Sequence, residues 1–374
     1  MSSQLFDPGP GTFDYNIWTT ADSLTRESMF SLAERHSGEP YFALQVLLRY
    51  CETSPIEVVD RYKGHFRGTT VQRSERQDGA GTIRLVAPAG GASTSLACVP
   101  ADLPNIWILG TTAKTGSAEH ERLVSPILER LASRIKAGWV SSHELERSLL
   151  SFQKATGASV SPSRVASRGF DRSTIEYLRA ASLEQVISEL RGNKLLMHSL
   201  AFKLRRGTPP RVVLSGSVNR ALRAVYRGGN SRLFDRHLIG ELQQLLASHF
   251  GYVAIRDNDW GKRRILFEFE EDALKSGDDH GRLVDALARA SDLAVCAFHL
   301  NPYLNLSVAD LTDGSSMTLI SDVADKMYVM PGTRCSSGAV SRVLDVVYAG
   351  FAAGRVLRTE PQEGDWRAAC GATR

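Results

Sequence analysis

The sequence predicts an α+β fold, with mixed antiparallel sheets, packed helices and an N-terminal helical part arranged like a winged helix. Apolar residues recur at helical spacing in some segments and alternate with polar residues in others. The chain has 374 residues, of which 43% are hydrophobic and 23% charged, so its composition is globular. A chain of this length is too long for one ordinary core. We therefore expect two main domains.

The first elements have the order of a winged helix. Helical patterns over residues 24–38, 42–50 and 54–63 precede a hairpin of residues 66–73 and 82–86, all within residues 22–88. Ser54 and Pro55 begin the third helix, with Glu57 three residues after the cap. This helix would enter a major groove, although Glu57 and Asp60 oppose that role. The basic residues around it are Arg61, Lys63, Arg67, Arg73 and Arg76. The alternative is a helical subdomain beside an unrelated hairpin.

The residues between 155 and 169 predict a linker, because they are rich in Gly, Ser and Pro and poor in apolar bulk. We expect an N-terminal domain of residues 1–155, a linker of residues 156–171, a C-terminal α+β domain of residues 172–357 and a loose tail of residues 358–374. Strands near 95–99 and 106–109 and helices from 118 and 141 complete the first domain.

The C-terminal half alternates helical and strand patterns. Capping boxes begin helices at Ser173 and Ser182, and another helix starts at Phe234. A final helix of residues 339–351 is apolar at Val340, Val343, Leu344, Val347 and Phe351. Strands are predicted over residues 195–204, 211–215, 253–257, 264–270, 293–300, 304–308, 317–320 and 327–330, with a helix over residues 282–290.

The charge is distributed unevenly along the chain. Residues 160–236 contain 13 Arg and 2 Lys against 5 acidic residues, whereas residues 265–330 contain 12 acidic residues against 4 bases. A basic stretch of this kind can bind a polyanion by releasing counterions. It can also dock on the acidic stretch of the same molecule or of a second copy.

The basic stretch supplies the candidate nucleic-acid-binding residues. Strands with outward Arg beside an aromatic residue can hold a phosphate backbone and stack a base. On a helix, Arg220, Arg223 and Arg227 would form one positive ridge because they are three and four positions apart. A solvated face paired with the acidic stretch is the alternative. The candidates are Lys203, Arg205, Arg206, Arg211, Arg220, Arg223, Tyr226, Arg227 and Arg232.

A metal-dependent nuclease is the enzymatic alternative. Glu241 is placed on a helix, Asp257 at the end of a strand, and Glu268 and Glu270 on the next strand. This order resembles that of restriction-endonuclease-type nucleases, whose carboxylates hold Mg²⁺. The lysine expected after Glu268 is absent, and strand alternation alone explains the two glutamates.

Other classes of function have little support in the sequence. No run of about 18 apolar residues predicts a membrane span, and the N-terminus does not resemble a secretory signal. The five cysteines are scattered, without metal-ligand spacing, so we expect a cytoplasmic protein with no metal or cofactor. No nucleotide-binding or nucleophile-elbow motif is present. We expect a non-catalytic nucleic-acid-binding protein, or a subunit of a nucleoprotein or multi-protein assembly. The alternatives are the nuclease and a self-assembling interaction scaffold.

Overall fold

The computed structural model describes residues 24–39, 42–66, 68–87, 93–114, 117, 119–132, 134–169, 174–177, 181–253, 265–332 and 335–357. The chain divides into two compact units. Unit 1 comprises Met1–Ala137 and Ala224–Arg232, and unit 2 comprises Gly138–Arg223 and Leu233–Arg374. Antiparallel sheets and packed helices confirm the predicted α+β class.

The helices are α1 (Arg26–His36), α2 (Pro55–Tyr62), α3 (Ser125–Arg130), α4 (Ser142–Thr156), α5 (Leu183–Gly192), α6 (Ser231–Leu233), α7 (Gly240–Val253), α8 (Gly277–Ala288) and α9 (Ser337–Gly350). A 3-10 turn (Lys63–His65) follows α2, and π-helical segments (His120–Val124 and Phe234–Ile239) precede α3 and α7.

The strands are β1 (Leu44–Tyr50), β2 (Thr70–Glu75), β3 (Gly81–Val86), β4 (Ser93–Pro100), β5 (Ile106–Thr111), β6 (Lys136–Ala137), β7 (Ser159–Gly169), β8 (Thr174–Tyr177), β9 (Leu195–Arg206), β10 (Arg211–Asn219), β11 (Arg223–Gly229), β12 (Ile265–Phe269), β13 (Leu293–His299), β14 (Leu304–Asp310), β15 (Ser316–Val323), β16 (Lys326–Pro331) and β17 (Gly354–Leu357).

Unit 1 is a sheet with the strand order β2-β3-β4-β5-β1-β11, and β6 also pairs with β1. Apolar residues of α2 and of the segment that contains α3 pack on this sheet around Leu47, Ile83 and Leu109. Ser54 caps α2 by accepting a hydrogen bond from the Ile56 amide at 3.2 Å, with Pro55 in the first turn. This confirms the predicted start of the helix.

The predicted second helix is wrong, and with it the winged-helix order. Residues 44–50 form β1, a strand in the interior of the sheet. Its side chains are buried from Leu44 to Arg49, on both faces. A continuous apolar run satisfies helical and buried-strand patterns alike, and burial on both faces decides for the strand. The order from α1 is therefore helix, strand, helix and hairpin.

Unit 2 contains a sheet with the order β10-β9-β7-β8. Helices α4 and α5 pack on one face of β7 and β9, where Phe152 meets Phe202 edge to face at 5.8 Å. The prediction of a linker without regular structure is wrong, because Ser159–Gly169 form β7, which pairs with β9. Its buried positions are small residues or single valines, so composition alone suggested a loop. The proposed domain boundary at residues 156–171 stays a prediction.

We expect limited proteolysis to spare β7. Trypsin should cleave after Arg206, where an exposed turn of residues 207–210 follows, before it cleaves after Arg164 or Arg168 within β7. Proteases require locally unpaired, extended backbone, which a strand hydrogen-bonded to its neighbour does not offer. Mass spectrometry of the first fragments measures the order, and early cleavage after Arg164 would contradict the pairing.

The second sheet of unit 2 has the order β13-β14-β15-β16-β12-β17. Helices α8 and α9 cover its core, which contains Phe267, Leu319 and Val329. Ser336 caps α9 by accepting a hydrogen bond from the Ala339 amide at 3.0 Å. The predicted apolar stripe of α9 is confirmed, since Val340, Val343, Leu344 and Val347 are buried and Phe351 packs against the same core.

Two of the predicted capping boxes are confirmed, and one is wrong. Ser141 and Ser182 form capping boxes at the starts of α4 and α5, as predicted. The box predicted at Ser173 is wrong, because the residues that follow form β8 against β7. Within the described residues, no helix is both long and apolar enough to cross a membrane.

Candidate nucleic-acid interface

The β9–β10 hairpin gathers four basic side chains at the end of the first sheet of unit 2. Arg206 lies directly opposite Arg211, and Arg205 lies opposite Val212. Lys203 and Arg205 alternate along β9 and share one face. We call Lys203, Arg205, Arg206 and Arg211 the basic hairpin. Three of them are exposed, and Arg205 is half-buried.

No carboxylate neutralises the basic hairpin within the described part of the chain. Like charges directly opposite each other on neighbouring strands destabilise a hairpin. The Arg206–Arg211 pair therefore costs stability in the isolated protein. A bound anion would remove that cost, because it would lie between two cations that have no carboxylate partner among the described residues.

Small side chains surround Lys203 and Arg205 on one sheet face, whereas the alternation along β9 places Arg206 and its partner Arg211 on the other face. Lys203 lies between Ser161 of β7 and Ser215 of β10, and the next row contains Ala201, Ser217 and the exposed Arg164 of β7. The opposite face carries Leu200, Phe202 and Leu204, which are buried under the helices. The two residues paired directly with Lys203 are serines, and the longer side chains on this face are the basic Arg164 and Arg205. An extended chain of phosphates could approach the strands closely there.

Arg220 was predicted to lie on an exposed helical ridge, and this is wrong. It lies in the turn after β10 and is buried, with its guanidinium ion-paired to Asp345 of α9. Its Nε donates to the carbonyl oxygen of Val140 at 2.9 Å, and its guanidinium carbon lies 5.5 Å from the centroid of the Trp139 ring. Three internal partners hold the side chain. Arg220 is therefore a core residue with no surface available to phosphate.

The other members of the predicted ridge lie on β11. Arg223 and Arg227 are strand residues, Arg223 half-buried and Arg227 exposed, so no helical ridge exists. Tyr226, predicted to stack a base, is fully buried, and its hydroxyl donates to the carbonyl of Gly229. Burial raises the pKa of Tyr226 to about 12. Arg232 is exposed and lies 3.7 Å from a carboxylate oxygen of Glu27.

Lys63, Arg73 and Arg76 of the predicted winged helix lie among carboxylates, and Arg67 lies outside the described residues. Lys63 and Arg73 form ion pairs with Asp60 at 3.0 and 3.4 Å, and the hydrogen bond from Lys63 lowers the pKa of Asp60. Arg61 is exposed at the end of α2. The neighbouring groove of about 1080 Å³ is lined by Glu52, Glu57, Glu75, Asp78 and Asp102 beside Arg73 and Arg76. Its charge opposes nucleic acid, so this end of unit 1 does not support the winged-helix interpretation.

The acidic stretch has its own cations. Arg342 contacts Asp310 and Asp313, at 2.5 and 2.8 Å, and Arg355 contacts Glu268 at 2.6 Å. Among the ion pairs of the described residues, Arg168–Asp292 at 4.0 Å joins the basic stretch to the acidic one. The basic hairpin takes no part in this pairing.

The nuclease residues form no metal centre in the described part of the chain. Glu241 accepts a hydrogen bond from Ser151 at 2.7 Å, and Glu268 is held by Arg355. Asp257 lies outside the described residues, and Val253, predicted in a strand, ends α7. The exposed Glu270 follows β12. No cluster of three His, Cys, Asp or Glu residues there is arranged to hold a metal ion.

A buried polar network in unit 2 has no counterpart in the sequence predictions. Asp345 accepts a hydrogen bond from the Ser142 amide at 2.7 Å, and burial raises its pKa to about 6, although Arg220 opposes the shift. Glu144 accepts from Ser141 and contacts His249 Nε2 at 2.9 Å. Burial disfavours the charged carboxylate, but His249 and Ser141 outweigh it and lower the pKa of Glu144 to about 2.

The same network continues to α5. Glu146 is nearly fully buried and accepts hydrogen bonds from Arg191 at 3.0 and 3.2 Å. His143 stacks on Tyr348 at 4.5 Å, and burial together with Arg191 lowers its pKa to about 4. Each carboxylate of the network has a partner that joins two helices or a helix and a turn. We therefore assign the network to stability. Two features of the sequence could have indicated the network. One is the serine–glutamate cap of α4, and the other is the acidic Asp345 inside the apolar stripe of α9.

Comparisons with known proteins do not assign a family. No protein-family model matches the chain, and no curated protein matches it significantly. The functional argument therefore rests on the geometry of this chain.

Proposed function

We propose that this chain binds nucleic acid, without catalysing a reaction, through the end of the basic hairpin, where Lys203 and Arg205 extend from the serine-lined face and Arg206 and Arg211 from the other face. The observation that supports the proposal is the Arg206–Arg211 pair, which places like charges opposite each other without a neighbouring carboxylate in the described residues. Binding to a phosphate backbone would release condensed counterions and compensate for the repulsion. Arg220 and Tyr226 have no part in the proposed interface.

The proposed interface recognises phosphate rather than base sequence. The described outward positions of β7, β9 and β10 carry no Phe, Tyr or Trp side chain on which a base could stack. Contacts to phosphate position a nucleic acid but carry no sequence information. We therefore expect weak sequence preference and a steep dependence of affinity on salt.

The test is the double substitution Arg206→Ala with Arg211→Ala. If each arginine contacts one phosphate, the log–log slope of affinity against salt for single-stranded DNA should fall by about 1.4, since each contact contributes about 0.7. At about 0.1 M salt this corresponds to an affinity loss on the order of 25-fold. Fluorescence anisotropy of a labelled oligonucleotide, titrated at several salt concentrations, measures both quantities.

A matched control removes equal charge from a helix instead of from the hairpin. Arg147 and Lys154 are exposed on α4, which packs on β7 and β9. The variant Arg147→Ala with Lys154→Ala should keep the wild-type slope. Equal losses in the two double variants would show a general charge effect and would overturn the proposed interface.

A further inference from the structure

The edge strand β13 combines exposed backbone with an uncharged sequence. It lies at the end of the second sheet of unit 2 and pairs on one side with β14. Its seven residues include no Lys, Arg, Asp or Glu. Ala294, Cys296, Ala297 and Phe298 are exposed. The peptide groups on its outer side contact no other strand of the described chain.

Large exposed apolar side chains are concentrated around this edge. Phe298 has an exposed fraction of 67%, and Leu311 of 62%. The amide of Leu311 donates to the carbonyl of Asp292 at 2.8 Å, which places Leu311 beside the start of β13. At the other end of the strand, Tyr303, 41% exposed, stacks on His299 at 4.1 Å.

The opposite edge of the same sheet is protected. Strand β17 has four residues, and its Arg355 lies on the edge in an ion pair with Glu268. Short length and charge are the usual devices that prevent a sheet edge from pairing with another chain. Strand β13 has neither device and interrupts its pairing with β14 only by a bulge near its end, between Ala297 and His299.

We propose that β13 pairs antiparallel with β13 of a second copy of this chain, about a two-fold axis at Cys296. In this register Ala294 faces the partner's Phe298, and Val295 faces the partner's Ala297. In both of these pairs the larger side chain meets a smaller one, Leu293 meets the partner's His299 at the ends of the strand, and no two carboxylates or basic side chains of Lys or Arg meet. An isologous interface requires such self-complementarity. It also satisfies the outer peptide groups along the strand.

The interface is small, which sets its expected strength. A strand of seven residues spans about 23 Å, at roughly 3.3 Å per residue. With the flanking Tyr303 and Leu311, each copy contributes fewer residues than the 20–30 per side of a standard stable interface. We therefore expect a monomer–dimer equilibrium with a Kd on the order of micromolar, detectable as a change of mass with concentration.

The first test is the variant Cys296→Lys in the full chain. The substitution places two ammonium groups opposite each other at the two-fold axis, so sedimentation velocity should show a monomer wherever the wild type forms a dimer. The control is Val323→Lys, because Val323 is also exposed but lies on β15. This control should still dimerise. A wild type that stays monomeric at high micromolar concentration, or a Cys296→Lys variant that still dimerises, would overturn the proposal.

Disulfide trapping tests the register independently of any lysine. Cys51, Cys98 and Cys335 are buried, and Cys370, outside the described residues, is changed to serine for the assay. Copper phenanthroline with oxygen accepts the two electrons lost when two Cys296 thiols form one disulfide. Directly opposed residues on antiparallel strands have the Cα separation that a disulfide needs. We expect a covalent dimer that a reducing agent separates, and we expect none for the Cys296→Ser variant. Its absence at concentrations where the wild type is dimeric would exclude this register.

Discussion

Replacing Arg220 by alanine should lower the free energy of unfolding by about 3–5 kcal/mol at neutral pH, because it leaves the buried Asp345 carboxylate without its counter-charge. Urea denaturation followed by circular dichroism measures the change. The difference in the free energy of unfolding between wild type and variant should become smaller as the pH falls from 7 toward 5. Burial already raises the pKa of Asp345 to about 6, and loss of Arg220 raises it further, so protonation removes the orphaned charge.

The control for this prediction removes both charges. In the variant Arg220→Met with Asp345→Asn, the amide oxygen of asparagine can still accept the hydrogen bond from the Ser142 amide. Replacing a buried ion pair by neutral groups of similar volume is often close to neutral in stability. The double variant should therefore recover most of the loss. If Arg220→Ala alone lowers the free energy of unfolding by less than about 1 kcal/mol, the arginine is exposed to water and its burial is contradicted.

Replacing Glu144 by glutamine should cost about 3 kcal/mol near pH 6 and nothing near pH 2. The buried Glu144 has its pKa lowered from 4.5 to about 2 by His249 and Ser141, so its ionised form stabilises the fold. A lowered carboxyl pKa gives stability that is present above pH 4.5 and is lost as the pH falls through about 2. Urea unfolding of wild type and variant at a series of pH values measures the difference.

The contribution of His249 to stability has the opposite pH dependence. Although burial opposes protonation, Glu144 raises the pKa of His249 above its ordinary value, so its contribution is complete below pH 6.5 and is lost as the pH rises through the raised pKa. The wild type should therefore lose part of its stability at alkaline pH as well. Glu189→Gln, an exposed change on α5, should alter stability by less than about 0.5 kcal/mol at any pH. Equal pH profiles for Glu144→Gln and wild type would contradict the buried pair.

The basic stretch that prompted the nucleic-acid hypothesis does not act as one surface. Arg220 forms a buried ion pair with Asp345, whereas Arg206 and Arg211 face each other in solvent. These residues are identical in type and close in sequence. The difference is that Arg220 occupies a turn beneath α9, where a carboxylate is available, and the hairpin arginines extend beyond the helices that cover the sheet.

Local features of the fold were predictable because neighbouring residues decide them. Ser54, Ser141 and Ser182 cap helices through hydrogen bonds to amides two or three residues away. The stripe of α9 buries one face, which its own 3.6-residue period defines. Such signals need no knowledge of the rest of the chain.

By itself, the sequence determined the α+β class, the caps of α2, α4 and α5, the buried stripe of α9 and the excess of arginine in residues 160–236. Only the tertiary structure decided that residues 44–50 form a strand, that β7 replaces a linker, and that Arg220 and Tyr226 are buried while Arg206 and Arg211 are exposed. The physical reason is that strand pairing and burial depend on partners distant in sequence. Asp345 lies 125 positions from Arg220, and no local pattern connects them.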